Sequence, residues 1–269
     1  MSPPPNLAPG DAAPLVFITG ASSGIGQALA ARYAAAGWRL ALVARRGPLL
    51  QAWIEAQGLP PERCLVQAAD VADVDAMVAV ARACVERLGV PDVVIANAGI
   101  SIGMDSAERA DLDIMARTFA TNNLGLAATF HPFIEPMRRR GSGRLVGIAS
   151  VAAMRGLPGH GAYCASKAAV VAYCESLRGE LRGSGVRVVT LLPGWVDTPL
   201  TRGNRYPMPF ILTPEAFAER AQRAIESGAS WRVIPWPMAL VARVLRLLPN
   251  RLFDRLLAGR PRKARASGH

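Results

Sequence analysis

Lysine is nearly missing from this chain: of 31 cationic residues in 269, 29 are arginine, leaving Lys167 in the body and Lys263 near the end. Cysteine is sparse as well. Cys64, Cys84, Cys164 and Cys174 form no CxxC pair, which excludes a thiolate metal centre and a disulfide-stapled secreted domain and leaves reduced core thiols. His131 and His160 have no carboxylate or cysteine at ligand spacing, so no metal is expected. No apolar run is long enough to span a bilayer. The N-terminus MSPPPNLAPGDAAP lacks the charged head and apolar core of a secretory signal, and residues 1–14 read as a disordered lead-in. A cytoplasmic address follows.

What is present suits one large domain. Hydrophobic residues make up 51% of the chain, enough to bury a sizeable core. The net charge of +11 is concentrated in residues 238–269, where eight cations face Asp254 alone. The body is close to neutral, and the basic tail has no base-reading architecture, so nucleic acid is not an expected partner. From Leu15 onward, short apolar runs alternate with longer helical stretches, as in parallel βαβ units. Strands are expected at 15–19, 39–43, 63–67, 93–96, 144–148, 186–192 and 232–234. Helices should begin near Gly24, Pro48, Val74, Asp113, Gly161 and Pro214. The strand runs are continuously apolar, which fits an α/β fold whose doubly wound parallel sheet is covered on both faces. Residues 15–235 read as the catalytic domain and 236–269 as an amphipathic, basic extension.

The segment TGASSGIG, Thr19 to Gly26, follows the first strand and opens a helix. Gly20, Gly24 and Gly26 permit a tight turn and close backbone approach to a pyrophosphate, Ser22 and Ser23 can donate to it, and Ile25 begins the helix whose N-terminus favours an anion. The second strand runs into Arg45 and Arg46, where an NAD-binding unit would carry an acidic residue for the ribose 2′-hydroxyl. Cations there favour the 2′-phosphate of NADP(H) over NAD, unless the two arginines merely cap the strand at the surface. Asp70 can accept from an adenine amino group beside the Val71 backbone, or it is a helix N-cap. Asn97, Ala98 and Gly99 form a turn small enough to pass close to a ribose.

Tyr163 and Lys167 stand four apart in YCASK and project from one helix face. A free phenol is a poor base at neutral pH, and a neighbouring ammonium favours its phenolate. An ammonium is compact enough to sit beside a phenol and a ribose, unlike a guanidinium fork. Ser150 ends the fifth strand, at the sheet edge where α/β folds bind ligands. These residues, with ANAG, Asn122 three before Gly125, and PGWVDTP, resemble the classical short-chain dehydrogenase/reductase family in order and spacing from about Leu15 to Pro199. The resemblance implies a seven-stranded Rossmann sheet and catalysis by Asn122, Ser150, Tyr163 and Lys167. A water relay would run through Lys167 and Asn122, Lys167 would also bind the nicotinamide ribose, and Thr198 would lie near the carboxamide. It further implies a homo-oligomer paired through the helices starting near Asp113 and Gly161.

The expected activity is hydride transfer between NADP(H) and a carbonyl or alcohol substrate. The alternative is a non-catalytic NADP(H)-binding sensor or membrane-associated scaffold. The Pro- and Gly-rich segment 194–213 reads as a long loop, with Arg202, Arg205, Tyr206 and Phe210 expected to shape the substrate pocket and its composition suiting a lipophilic molecule. Trp195 and Met154 are pocket walls or ordinary packing. The extension reads as two short amphipathic helices broken at Pro249, which pack on the protein or make a peripheral contact with an anionic membrane face.

Overall fold

The computed structural model describes residues 13–204, 207–259 and 261–265. Most of the expected lead-in therefore lies outside the described residues. Ala13 and Pro14 accept hydrogen bonds from Arg39.

Seven parallel strands form one sheet: β1 Leu15–Thr19, β2 Arg39–Ala44, β3 Cys64–Ala68, β4 Val93–Ala96, β5 Gly143–Ile148, β6 Val186–Pro193 and β7 Trp231–Ile234. Their order is β3-β2-β1-β4-β5-β6-β7, so the winding direction reverses between β1 and β4. A crevice opens at such a switch point, outside the carboxyl ends of the strands.

Helices α1 Gly24–Ala35, α2 Gly47–Ala56, α3 Val74–Leu88, α4 Asp111–Phe119, α5 Gly125–Arg140, α6 Gly161–Glu180 and α7 Pro214–Glu226 cover both faces. Alternation along β1 sends Leu15 and Phe17 into a core with α3, α5 and α6, and Val16 and Ile18 into one with α1, α2 and α7. Phe17 meets Phe133 of α5 with ring centroids 4.9 Å apart. Cys84, Cys164 and Cys174 are buried as free thiols. Among its described residues the loop 194–213 contains no helix or strand, and an isolated bridge, Val196 to Leu212, pinches it.

Two details depart from the sequence reading. The N-cap of α3 is Asp73, which accepts from the Ala76 N–H at 3.0 Å, while Asp70 closes a tighter turn onto Ala72. The long helix expected from Asp113 is interrupted between α4 and α5 by a π turn, Ala120–Leu124. Wide turns of this kind are often found at functional sites, and Asn122 sits in this one.

Beyond β7 the chain forms α8 Pro237–Leu247 and α9 Asn250–Leu257, the two helices expected on either side of Pro249. Met238, Ala242 and Phe253 bury their inner faces. Their outer faces expose Trp236, Leu240, Val244, Leu247 and Leu252, whereas Leu256, also exposed, lines the cleft.

Candidate active site

The glycine turn is held by its neighbours. Thr19 Oγ1 accepts from the Asn97 and Ala98 N–H groups at 3.1 and 3.3 Å, and the Asn97 amide returns bonds to the Thr19 and Gly20 carbonyls. Gly20 has φ +66°, and a Cβ there would stand 2.8 Å from the Ala98 Cα. At Gly26 an added Cβ would press into the Gly20 carbonyl. At Gly24 it would meet the Thr198 methyl at 3.1 Å, so the PGWVDTP segment closes directly over the turn. Helix α1 has no side-chain cap and no acidic residue in its first turn, which leaves its N–H groups to an incoming anion. A backbone cradle this close, with an uncapped helix N-terminus beneath it, fits a dinucleotide pyrophosphate.

One end of the cleft is rimmed by cations. The Arg46 guanidinium donates to Ser22 Oγ at 3.2 Å, and Arg45 lies 3.9 Å from the Asp70 carboxylate. Val71 is buried, and a Cβ at Gly125 would stand 2.6 Å from it.

Near the middle of the cleft stand three of the four residues expected to be catalytic, Ser150, Tyr163 and Lys167. Lys167, only 4% exposed, donates from Nζ to the Ile148 carbonyl at 2.8 Å and lies 5.9 Å from the Tyr163 ring centroid. Burial lowers its ammonium to about 8. Burial likewise pushes the Tyr163 phenol up to about 12, against the opposing effect of a hydrogen bond with Ser150. The ammonium therefore does not make the phenol acidic in the protein alone: desolvation wins. Ser150 Oγ accepts from the Ala152 N–H at 3.1 Å, in the short 3-10 turn that ends its strand.

Asn122 lies behind these groups rather than in the cleft wall. Its side chain accepts from the Ile100 N–H at 2.8 Å and donates to the Ile100 carbonyl at 3.0 Å and to Ser166 Oγ at 2.9 Å. Ser166 in turn donates to the Tyr163 carbonyl at 2.8 Å, and Asn123 donates to the Ser166 carbonyl at 2.8 Å. The π turn, the loop after β4 and the first turns of α6 are thereby tied together. Ser166 was missed in the sequence, although it stands inside YCASK.

All these parts share one cavity of about 700 Å³. Of the expected site residues, Gly20, Ser22 to Ile25, Arg45, Arg46, Asp70, Val71, Asn97 to Gly99, Ser150, Tyr163, Lys167 and Thr198 line it. Gly26 and Asn122 support it from behind. Met154 and Trp195 are wall residues, joined by Leu157, Met238, Val241, Leu245 and Phe253. Arg202 and Phe210 are not: Arg202 pairs with Asp197 at 3.0 Å, and Phe210 is 53% exposed with φ +57°. Leu200, Thr201, Asn204, Pro207 and Pro209 supply that loop's contribution instead, and Arg205 and Tyr206 lie outside the described residues.

Three further cations, Arg155, Arg262 and Lys263, reach this end. Arg155 donates to the Leu245 carbonyl, to the Leu248 carbonyl at 2.7 Å and to Asn250 Oδ1 at 2.9 Å, with its guanidinium 3.8 Å over the Phe253 ring. Lys263 arrives from the end of the chain. His160 is buried and keeps a contact with the Pro158 carbonyl at 3.3 Å, and burial lowers its pKa. Among the described residues no three His, Cys, Asp or Glu side chains gather as a metal site, and no helix is long and apolar enough to cross a membrane.

Comparison with known proteins gives a consistent result. A family model described as short chain dehydrogenase matches residues 14–208. An uncharacterized oxidoreductase of Myxococcus xanthus is 40% identical over 241 residues, spanning 88% of this chain and 94% of the relative. A solved short chain dehydrogenase/reductase of Burkholderia phymatum in complex with NAD superposes with a TM-score of 0.78 at 25% identity, over 94% of this chain and 98% of that one. An alcohol dehydrogenase of Thermococcus sibiricus complexed with 5-hydroxy-NADP gives 0.72 at 27% identity, over 83% and 96%.

Proposed function

The chain belongs to the short-chain dehydrogenase/reductase family, and on that premise we propose that it moves a hydride between NADP(H) and a carbonyl or alcohol carbon, with Tyr163 exchanging the proton. The observation that carries this reading is a single cavity shared by the glycine turn, Tyr163, Ser150 and Lys167. When bound, the dinucleotide donates or accepts the hydride at its nicotinamide ring.

The protein's own groups divide the remaining work. The N-terminus of α1, with Ser22 and Ser23, holds the pyrophosphate, and Arg45 and Arg46 favour a 2′-phosphate over a 2′-hydroxyl. Asp70 accepts from the adenine amino group beside Val71, the turn from Asn97 to Gly99 passes the ribose, and Thr198 faces the carboxamide. Lys167 holds the nicotinamide ribose hydroxyls. Ser150 orients the substrate oxygen, and Tyr163 protonates it as the alkoxide forms. A phenol raised to about 12 stays protonated at neutral pH, the form that reduction requires. Asn122 positions Tyr163 through Ser166 and, with Lys167, passes protons onward.

We take residues 15–235 as the catalytic unit and the extension as the far wall of its substrate cleft. The apolar lining from Met154, Leu157, Trp195 and Val241 supports a lipophilic substrate body. Leu112, Met115 and Leu124 on the α4 side and Tyr173 on α6 are exposed, which supports pairing of two copies through those helices. On α8 the exposed Trp236, Leu240, Val244 and Leu247 stand beside Arg243 and Arg246, which supports a peripheral contact with an anionic membrane on the cytoplasmic side. Buried free thiols suit that compartment.

A panel of aldehydes, ketones and alcohols, offered with each nicotinamide and followed by the absorbance of the reduced ring, tests the reaction. Turnover with NADPH exceeding that with NADH supports the reading. Cofactor binding without turnover of any member would favour a sensor. Sedimentation with anionic vesicles tests the membrane contact, which fails if removing residues from 238 onward leaves binding unchanged.

A further inference from the structure

The end of the described chain returns to the cleft as a strap. Gly103 donates from its N–H to the Ala264 carbonyl at 3.1 Å and pairs with Arg265 in a parallel bridge. A Cβ on Gly103 would press into the Lys263 and Ala264 carbonyls, so the strap requires glycine opposite it. Arg265 fastens it, donating to both oxygens of the buried Asp111 carboxylate at 2.8 and 3.2 Å. That bond is the leading reason the Asp111 carboxyl is held below its ordinary range.

Lys263, two residues earlier, is treated differently. Its ammonium donates to Ser101 Oγ at 2.9 Å and to the Leu200 carbonyl at 3.3 Å, both neutral. Among the described residues no carboxylate lies within ion-pair distance of it. Among the described residues the one carboxylate lining the cavity is Asp70, beside Arg45 at the other end. Burial lowers the Lys263 pKa, as expected for an ammonium that has lost part of its hydration. Arg155 is engaged at the corner between α8 and α9, and Arg262, which also lines the cavity, is exposed and keeps its hydration. The cavity therefore joins apolar walls to a partly desolvated cation without a counter-ion, a pairing that gains most from an incoming anion.

We propose that Lys263 is a specificity-determining residue that binds a carboxylate on the substrate, so that the enzyme selects lipophilic carbonyl compounds bearing an acid group. The proposal rests on the hydride-transfer reading. A phosphate of the dinucleotide is the other anion that the cavity would take, and the test separates the two.

The experiment compares reduction of 4-formylbenzoate and methyl 4-formylbenzoate by the full chain with NADPH. The acid should be preferred in kcat/KM by about tenfold, and Lys263→Gln should abolish that preference through KM, with Lys263→Arg restoring part of it. An unchanged acid-to-ester ratio overturns the anchor and leaves hydride transfer standing. If Lys263→Gln weakens NADPH binding as much as it weakens the acid, the lysine serves the cofactor and the proposal is overturned. Should neither aldehyde be reduced, calorimetric binding of 4-(hydroxymethyl)benzoate to the NADP-loaded chain decides separately: binding lost in Lys263→Gln upholds the anion site, and binding retained removes it.

Discussion

The two ends of the cleft are made by different means. The dinucleotide end is centred on a contiguous stretch, Thr19 to Gly26, whose shape follows from positive φ at Gly20 and Gly24 and from close contacts that tolerate no Cβ. The substrate end is assembled from the loop 194–213, the inner sides of α8 and α9, and a strap at 261–265. At the first a glycine-rich turn meets backbone brought from β4 and from the segment after β6, whereas the second is packed from side chains of separate segments. A change at the first end should therefore act through the backbone, whereas one at the second should alter what is accepted.

Substitutions can break or sharpen that contrast. At the meeting point of the two ends, Tyr163→Phe should cost roughly 10³-fold in kcat while leaving the NADPH Kd within about twofold, measured by turnover and fluorescence titration. At the dinucleotide end, Gly26→Ala drives a Cβ into the Gly20 carbonyl, and NADPH affinity should fall by roughly 30- to 100-fold, or about 2–3 kcal/mol. Replacing Arg45 and Arg46 together by alanine should lower the ratio of kcat/KM for NADPH over NADH by about 30-fold. An unchanged ratio would reduce the two arginines to surface caps.

The smallest effect concerns stability. The folded value of Lys167, about 8, lies below that of a free lysine, so the folded chain binds fewer protons than the unfolded one between those values. The penalty for burying its charge is full below about 8 and fades as pH rises toward the free-lysine value. Lys167→Met should stabilise the cofactor-free chain near neutral pH by about 1 kcal/mol, net of the lost bond to Ile148, with the advantage shrinking in alkali. Thermal melts across that range measure it.

Legibility in the sequence follows the same division. Strand positions came within two residues of those observed because continuous apolar runs mark a doubly covered parallel sheet. The glycine turn and YCASK were readable because their spacing alone sets which groups share a face. Asn122 could be named by resemblance, but the π turn around it could not be foreseen, since its bonds to Ile100 and Ser166 are 22 and 44 residues away. Arg202 and Phe210 were expected in the pocket because their loop is, yet one pairs with Asp197 and the other faces outward. Lys263 read as one charge in a basic run, and only the return of the strap to Gly103 sets it in the cavity.

Arg155 ties the substrate end together. One guanidinium caps the closing carbonyls of α8, bonds to the first residue of α9 and rests on Phe253, so the two helices are pinned to the floor of the cleft at one point. Together with the packing of α8 on β7, the reach of that side chain helps to set how far the far wall stands from Tyr163. Shortening that pin would widen the enzyme's bore and admit bulkier molecules, retuning selection without touching any group that reacts.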